Sequence, residues 1–240
     1  MNFNNETRVN EVALSDPTAR RILEDAGVDY CCGGAKPLGE ACLQANVGAE
    51  DILRSIRENA GRINPEQSAW LQAPLSELTQ HIREKHHKYV RDVIPRLRGL
   101  LAKLHEKYAS QHPEVGEIQR QFEDVSHEML MPMQEEEQIL FPYIEALERA
   151  ANKNAVVEPP LFQTVRNPIH LMMQEHDAAG ELVRQIRKAS HAYQAPSDAC
   201  TTLKATYQEL RHFEEDLHLH VQLENNILFP RAVELEASAV

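Results

Sequence analysis

The sequence has no long apolar run, no cluster of basic residues and few cysteines. A membrane-spanning helix needs about 20 consecutive apolar residues, so no membrane span is predicted. The N-terminus lacks the basic and then apolar pattern of a signal peptide, which favours a soluble cytoplasmic protein. Phosphate contacts need clustered Lys and Arg, whereas this chain has 25 basic and 37 acidic residues and a formal charge of -12. A nucleic-acid partner is therefore not expected.

Four cysteines in a chain of 240 residues do not indicate a disulfide framework. Cys31 and Cys32 are adjacent and poorly placed to bridge each other, so they are interpreted as thiols. They lie in residues 29–34, where two glycines allow a tight turn that leaves both sulfurs near a surface. From this chemistry alone, reactive thiols and a structural turn are equally open. Cys42 and Cys200 are predicted to be structural.

Apolar residues at helical spacing predict an all-α protein, and no segment is typical of a strand. Short helices are expected up to about residue 60. Four long amphipathic helices follow, at about 75–108, 114–150, 160–193 and 198–236. Their short connections favour antiparallel neighbours. The predicted organisation is a small N-terminal helical domain (1–62), a linker (63–74) and an antiparallel four-helix bundle (75–238).

The bundle sequence contains an internal repeat. Residues 136–142 read Glu-Glu-Gln-Ile-Leu-Phe-Pro and residues 224–230 read Glu-Asn-Asn-Ile-Leu-Phe-Pro, an offset of 88 (224 - 136). Upstream, His87 and His176 are separated by 89 residues (176 - 87). Each half therefore carries a histidine on its first helix and a glutamate on its second.

The repeated residues predict a metal centre. His220 precedes Glu224 by four residues, so both side chains lie on one helical face. With His87, Glu136 and His176, they would gather three imidazoles and two carboxylates inside a bundle. Ionisable groups are costly to bury without metal or partners, and two carboxylates can bridge two ions. Imidazole and carboxylate ligands suit iron or manganese, and we expect a non-haem di-iron centre.

The repeat also predicts a histidine that is absent, because 220 - 88 is position 132 and that residue is Pro132. A proline cannot ligate metal, and it removes a helical hydrogen bond to the carbonyl of Glu128. Glu128 or water could take its place, and one of the two irons is expected to be weakly held. Seven other histidines have no partner in the repeat and are left unassigned: His81, His86, His105, His112, His191, His212 and His218.

The Tyr-Cys-Cys-Gly-Gly segment at residues 30–34, joined to a haemerythrin-like repeat, resembles the bacterial iron-sulfur cluster repair di-iron proteins, the RIC or ScdA family. The similarity covers nearly the whole chain. It implies an N-terminal domain carrying paired thiols and a haemerythrin-like bundle with a carboxylate-bridged di-iron site. It also implies a role in repairing iron-sulfur clusters damaged by nitric oxide or oxidative stress, by iron donation or by processing of nitric oxide.

Under this resemblance the family's ligands fall on His87, His176, His220, Glu136 and Glu224, and its fourth histidine falls on Pro132. Glu128 and Glu175 fall where family members carry acidic residues near the site, which implies roles in supporting the ligands or in iron exit. For Cys31 and Cys32 the resemblance favours iron handover, nitrosyl transfer or a mixed disulfide between chains. A homodimer is left open.

Three functions are compatible with these residues. The first is a stress-response repair protein whose partners are damaged iron-sulfur proteins. The second is a haemerythrin-like sensor or carrier of dioxygen or nitric oxide, for which the thiol segment has no evident use. The third is reduction of nitric oxide at the di-iron site, so whether the protein is an enzyme stays open.

Overall fold

A computed structural model describes residues 3–59, 69–153 and 160–238. Within residues 3–59 the N-terminal segment forms four short helices: α1 Val9–Ser15, α2 Pro17–Asp25, α3 Leu38–Gln44 and α4 Ala49–Asn59. The apolar stripe of residues 9–26 is divided between α1 and α2, because the helix is broken at Asp16. The backbone of Asp16 is extended, and its carboxylate accepts a hydrogen bond from the Thr18 backbone N–H at 2.8 Å. Asp16 is therefore the N-cap of a new helix. Gly27, at φ 70°, ends α2.

Four longer helical segments build the bundle, and three of them contain a π-helical turn. The first is α5 Leu75–His81, π1 Ile82–His87 and α6 Lys88–Tyr108. The second is α7 Glu114–Glu135, π2 Glu136–Leu140 and α8 Phe141–Lys153. The third is α9 Arg166–Ala189. The fourth is α10 Thr201–Leu223, π3 Glu224–Leu228 and α11 Phe229–Ser238.

The all-α prediction is confirmed, since the described residues form helices and no strand beyond one isolated bridge between Arg8 and Pro37. The third bundle helix begins at Arg166 rather than near residue 160. Residues 60–62 of the predicted N-terminal domain and residues 63–68 of the predicted linker lie outside the described residues. None of the described helices is long and apolar enough to cross a membrane.

In the part of the chain that the structure describes, two apolar clusters form the core, and they meet at one level of the bundle. Along the first bundle helix, Ile82 belongs to one cluster and Val90 to the other, with His87 between them. Along the second, Met133 and Leu140 belong to different clusters, with Glu136 between them. The larger cluster also contains buried side chains of the N-terminal helices, so that segment packs directly on the bundle. The repeated polar residues therefore lie where the two apolar clusters meet.

The internal repeat extends to the helix caps. Glu148 in α8 accepts hydrogen bonds from the backbone N–H and the hydroxyl of Ser76, at 3.0 and 2.6 Å. Burial opposes ionisation of Glu148, but these hydrogen bonds outweigh it and hold its pKa below the usual range. Glu236, 88 residues later (236 - 148), accepts from the Val165 N–H at 2.9 Å, beside the start of α9. In each half, the last helix thus caps the start of the first.

Candidate metal centre

All five predicted ligand residues meet in the bundle interior, and none is more than 3% exposed. His87 comes from π1, Glu136 begins π2, His176 lies in α9, and His220 and Glu224 flank the junction of α10 and π3. One ligand atom from each of His87, Glu136, His220 and Glu224 lies within 4.8 Å of the others. The structure therefore brings together the residues that the repeat selected.

One side of the cluster carries two imidazoles. Nε2 of His87 and Nε2 of His220 are 3.1 Å apart. Carboxylate oxygens surround the same nitrogens: Glu224 Oε1 is 3.1 Å from His220 Nε2, and Glu136 Oε2 is 3.4 Å from His87 Nε2. A shared proton would satisfy the two nitrogens alone, whereas a cation would satisfy the nitrogens and both carboxylates together.

The other side of the cluster carries one imidazole. Nε2 of His176 lies 3.2 Å from Glu224 Oε2 and 3.8 Å from Glu136 Oε1. Each carboxylate thus offers one oxygen towards His176 and the other towards the His87 side. Pro132, the position where the repeat predicts a second histidine, is buried in the last turn of α7 before Glu136. The cluster is accordingly asymmetric, with two histidines on one side and one on the other.

A second set of repeated residues orients the histidines. Nδ1 of His87 lies 2.7 Å from Glu137 Oε1, and Nδ1 of His176 lies 2.8 Å from Asn225 Oδ1. Glu137 and Asn225 each follow a repeated glutamate and differ by the same 88 residues (225 - 137). Such partners fix the tautomer and ring orientation of a metal-binding histidine and turn its Nε2 to the site. The sequence interpretation missed both, although the repeat offset contains the signal.

The π-helical turns coincide with the site. His87 ends π1, Glu136 begins π2 and Glu224 begins π3. A π turn adds one residue to the helical turn and re-aims the side chains beside it, which is why such turns occur often at functional sites. The sequence predicted plain α-helices here.

Charges in the cluster are strongly coupled. Burial raises the pKa of Glu136, and the Glu224 carboxylate raises it further. Burial also opposes ionisation of Glu224, but the surrounding histidines outweigh it and hold the pKa of Glu224 well below its usual range. Burial disfavours the imidazolium of His87, yet the neighbouring carboxylates of Glu136 and Glu224 raise its pKa to about 10. A positive charge between the two carboxylates would therefore stabilise the cluster.

The carboxylate oxygens of the cluster have no hydrogen-bond partners, which makes them suitable ligands for a cation. Both carboxylate oxygens of Glu136 and both of Glu224 are buried without a hydrogen-bond donor. Leaving buried acceptors unsatisfied is costly, so four such oxygens facing three imidazoles form a donor set for metal. Nitrogen and carboxylate-oxygen ligands match iron or manganese and contain no thiolate.

Glu128 and Glu175 make no direct hydrogen bond to the five residues. Glu175 has a buried oxygen without a donor. Burial raises the pKa of Glu175, and the charges of Glu135, Glu136 and Glu128 raise it further. The carboxylates of Glu128, Glu135 and Glu175 therefore form an acidic group beside Glu136, and Glu135 is exposed. Their predicted role in ligand support or iron exit stays a prediction.

The paired thiols dock against the metal centre. Cys32 Sγ lies 3.6 Å from the backbone carbonyl oxygen of His176, and Asn226 Nδ2 donates a hydrogen bond to the Cys31 carbonyl at 3.1 Å. Asn226 directly follows the residue that orients His176. Cys42 is fully buried, and the sulfur of Cys200 accepts the Leu203 N–H at the start of α10. No pattern in the sequence indicates that the thiol segment packs against the bundle.

Among the unassigned histidines, His86 is buried and its Nδ1 lies 2.9 Å from Asp216 Oδ1. Its ring stacks on that of His220, with centroids 5.7 Å apart. His218 packs edge-on against Tyr30 of the N-terminal segment. His86 therefore supports the centre, and His218 supports the docking of the thiol segment.

An antiparallel helical bundle with a buried His/Glu cluster defines the haemerythrin-like class of metal-binding proteins. A family model described as "Hemerythrin HHE cation binding domain" matches residues 78–232, and one described as "Domain of Unknown function (DUF542)" matches residues 5–60. The iron-sulfur cluster repair protein YtfE of Escherichia coli (strain K12 / DH10B) is 34% identical over 224 residues, 93% of this chain and 94% of that protein. The same protein of Shigella boydii serotype 4 (strain Sb227) shows the same identity and coverage. The chain belongs to this family of iron-sulfur cluster repair proteins, which confirms the resemblance stated from its motifs.

Proposed function

We propose that this protein is a di-iron protein that restores iron-sulfur clusters damaged by nitric oxide or oxidative stress, by supplying iron from its His/Glu centre. The observation that carries the proposal is the asymmetry of the cluster. His87 and His220 serve one side, whereas His176 serves the other side alone. A site with fewer protein ligands holds its ion less tightly, and a donor needs an ion that it can release.

His87, His220, Glu136 and Glu224 would hold one iron, and His176 with the second oxygens of the two glutamates would hold the other. When bound, iron supplies the transferable ferrous ion and a redox-active centre for small ligands such as nitric oxide or dioxygen. Glu137 and Asn225 keep the histidines oriented. The apolar clusters on both sides keep bulk water out of the centre.

Release of iron needs a path from the buried site. The acidic group of Glu128, Glu135 and Glu175 lies beside Glu136 and reaches the surface at Glu135. Carboxylate oxygens are suitable ligands for a ferrous ion, so these side chains offer it successive contacts outside the buried site. We propose that the iron nearest His176 leaves along this group to an acceptor protein.

The free thiols support a reducing location. All four cysteines are unpaired, as expected for the cytoplasm, where thiols are kept reduced. We propose that the protein acts there on damaged iron-sulfur proteins, which are its partners.

Transfer of labelled iron to a damaged enzyme tests this function. The protein is loaded with an iron isotope and mixed with an iron-sulfur enzyme inactivated by nitric oxide. We expect activity to return and the label to appear in the enzyme. Glu175→Gln should slow iron transfer without lowering the iron content. Glu181→Gln, which changes an exposed residue on the same helix, should leave the transfer rate unchanged.

Failure to restore activity, while an independent repair system succeeds with the same enzyme, would exclude iron donation. Reversible dioxygen binding without iron transfer would favour a carrier instead.

A further inference from the structure

A second cluster of potential metal ligands lies in the turn between α2 and α3. The Sγ atoms of Cys31 and Cys32 are 3.8 Å apart, and Asp29 Oδ1 lies 3.5 Å from Cys31 Sγ. The same carboxylate oxygen accepts hydrogen bonds from the backbone N–H groups of Cys31 and Cys32, at 3.2 and 3.0 Å. These bonds fix the carboxylate next to both sulfurs. One ligand atom from each of the three residues lies within 4.8 Å of the others.

We propose that Asp29, Cys31 and Cys32 form a thiolate metal site for Zn²⁺ or Fe²⁺ that is separate from the His/Glu centre. The sulfur separation of 3.8 Å carries the inference. An ion about 2.3 Å from each sulfur would subtend about 110° between them, close to the tetrahedral angle of thiolate sites. A disulfide would instead require the sulfurs to approach to about 2.05 Å. The pair is spaced for one shared ion.

The local charges favour a divalent cation. Two thiolates and one carboxylate carry three negative charges, and a divalent ion leaves one of them uncompensated. The guanidinium of Arg184 lies 3.7 Å from Asp29 Oδ2 and also pairs with Glu181 at 3.0 Å, so it offsets part of that charge. On binding, each sulfur gives its proton to solvent and forms a bond to the ion, and neither sulfur is oxidised.

The surroundings leave room for a fourth ligand. A cavity bounded by Tyr30, Cys31, Arg184 and His218 opens beside the cluster, so water or a small anion can reach an ion there. On the opposite side, Cys32 Sγ faces the backbone of α9, 3.6 Å from the His176 carbonyl oxygen. The two candidate centres are neighbours and share no ligand residue. The inference does not depend on the proposed repair function.

Cobalt(II) provides a direct probe, because thiolate ligation gives an intense near-ultraviolet charge-transfer band that imidazole and carboxylate ligands do not give. The reduced, iron-loaded full-length chain is titrated with Co²⁺. We expect the band to saturate at one ion per chain. Cys31→Ser and Cys32→Ser should lose the band while the iron content stays unchanged. Cys200→Ser, which keeps an oxygen to cap α10, is the matched control and should retain it.

A second measurement uses the unaltered chain, so the outcome does not depend on how the variants fold. Zn²⁺ should slow alkylation of Cys32, followed by peptide mass spectrometry, while alkylation of Cys200 stays the same. Absence of the cobalt band from the unaltered chain, or its persistence in the Cys31→Ser/Cys32→Ser double variant, would overturn the proposal. So would alkylation of Cys32 at the same rate with and without Zn²⁺.

Discussion

Replacing Pro132 by histidine is expected to complete the His/Glu centre. His220 stands four residues before Glu224, and the two side chains meet at 3.1 Å. Position 132 stands four residues before Glu136 and is buried, so an imidazole there would face Glu136 in the same way. The His176 side would then have two histidines, like the opposite side.

The substitution at position 132 has two effects, one on the stability of the helix backbone and one on metal binding. A proline within a helix costs about 3 kcal/mol, so Pro132→Ala and Pro132→His both recover part of that stability. Only the histidine adds a ligand. Removing even an outer partner of a metal ligand changes metal affinity about 10–100-fold, so a direct ligand should slow loss of the weaker iron by at least about that factor.

The assay follows release of iron from each loaded protein to a ferrous chelator by absorbance. We expect the unaltered chain and Pro132→Ala to lose one iron quickly and the other slowly, and Pro132→His to lose both slowly. Equal iron contents and equal release rates for Pro132→His and Pro132→Ala would refute the reasoning. That result would point to Glu128 or water as a substitute ligand.

Four further substitutions test the surroundings of the centre and other contacts of the fold. Glu137→Ala and Asn225→Ala each remove the partner of a histidine Nδ1, and should weaken metal binding about 10–100-fold in competition with a chelator. Glu148→Gln should lower the free energy of unfolding by about 1–2 kcal/mol at neutral pH, measured by chemical denaturation. Because the native pKa of Glu148 is lowered, its contribution is present above the unfolded pKa and is lost as the pH falls through the native value. Gly34→Ala would place a Cβ 2.6 Å from Asn226 Oδ1, and should cost about 1–3 kcal/mol in the same denaturation assay.

Each of these changes has a control. Glu181→Gln should leave chelator competition unchanged, and an equal loss of affinity there would show that surface charge alone explains the result. A stability difference for Glu148→Gln that persists undiminished in acid would contradict a role for its ionised form. Gly99→Ala adds a Cβ that meets nothing within 4 Å. Gly34→Ala should be clearly less stable than this variant, and equal stability would exclude the predicted clash.

The repeat explains how much of the site the sequence could predict. A single offset of 88 or 89 residues identifies His87, Glu136, His176 and Glu224, because duplicated halves must present the same groups to a shared interior. The same offset links Glu137 to Asn225, but their role depends on which nitrogen of each histidine faces the site. That orientation is set by packing in three dimensions.

Other features had no local signal. No residue type marks the π turns at His87, Glu136 and Glu224. They form because the packing of the whole bundle determines where the buried ligand side chains lie, and the local helical hydrogen bonds adjust to those positions. Docking of the thiol turn rests on Asn226, where the other half of the repeat has Gln138. Only the folded chain shows that this departure from the repeat meets the N-terminal segment.

Metal analysis of freshly purified protein tests the central claim most directly. The unaltered chain should contain iron as its main metal, at up to about two ions per chain, and Glu136→Gln/Glu224→Gln should contain almost none. The same iron content in both proteins, or an unaltered chain that takes up no iron when it is supplied, would contradict a di-iron centre at the His/Glu cluster.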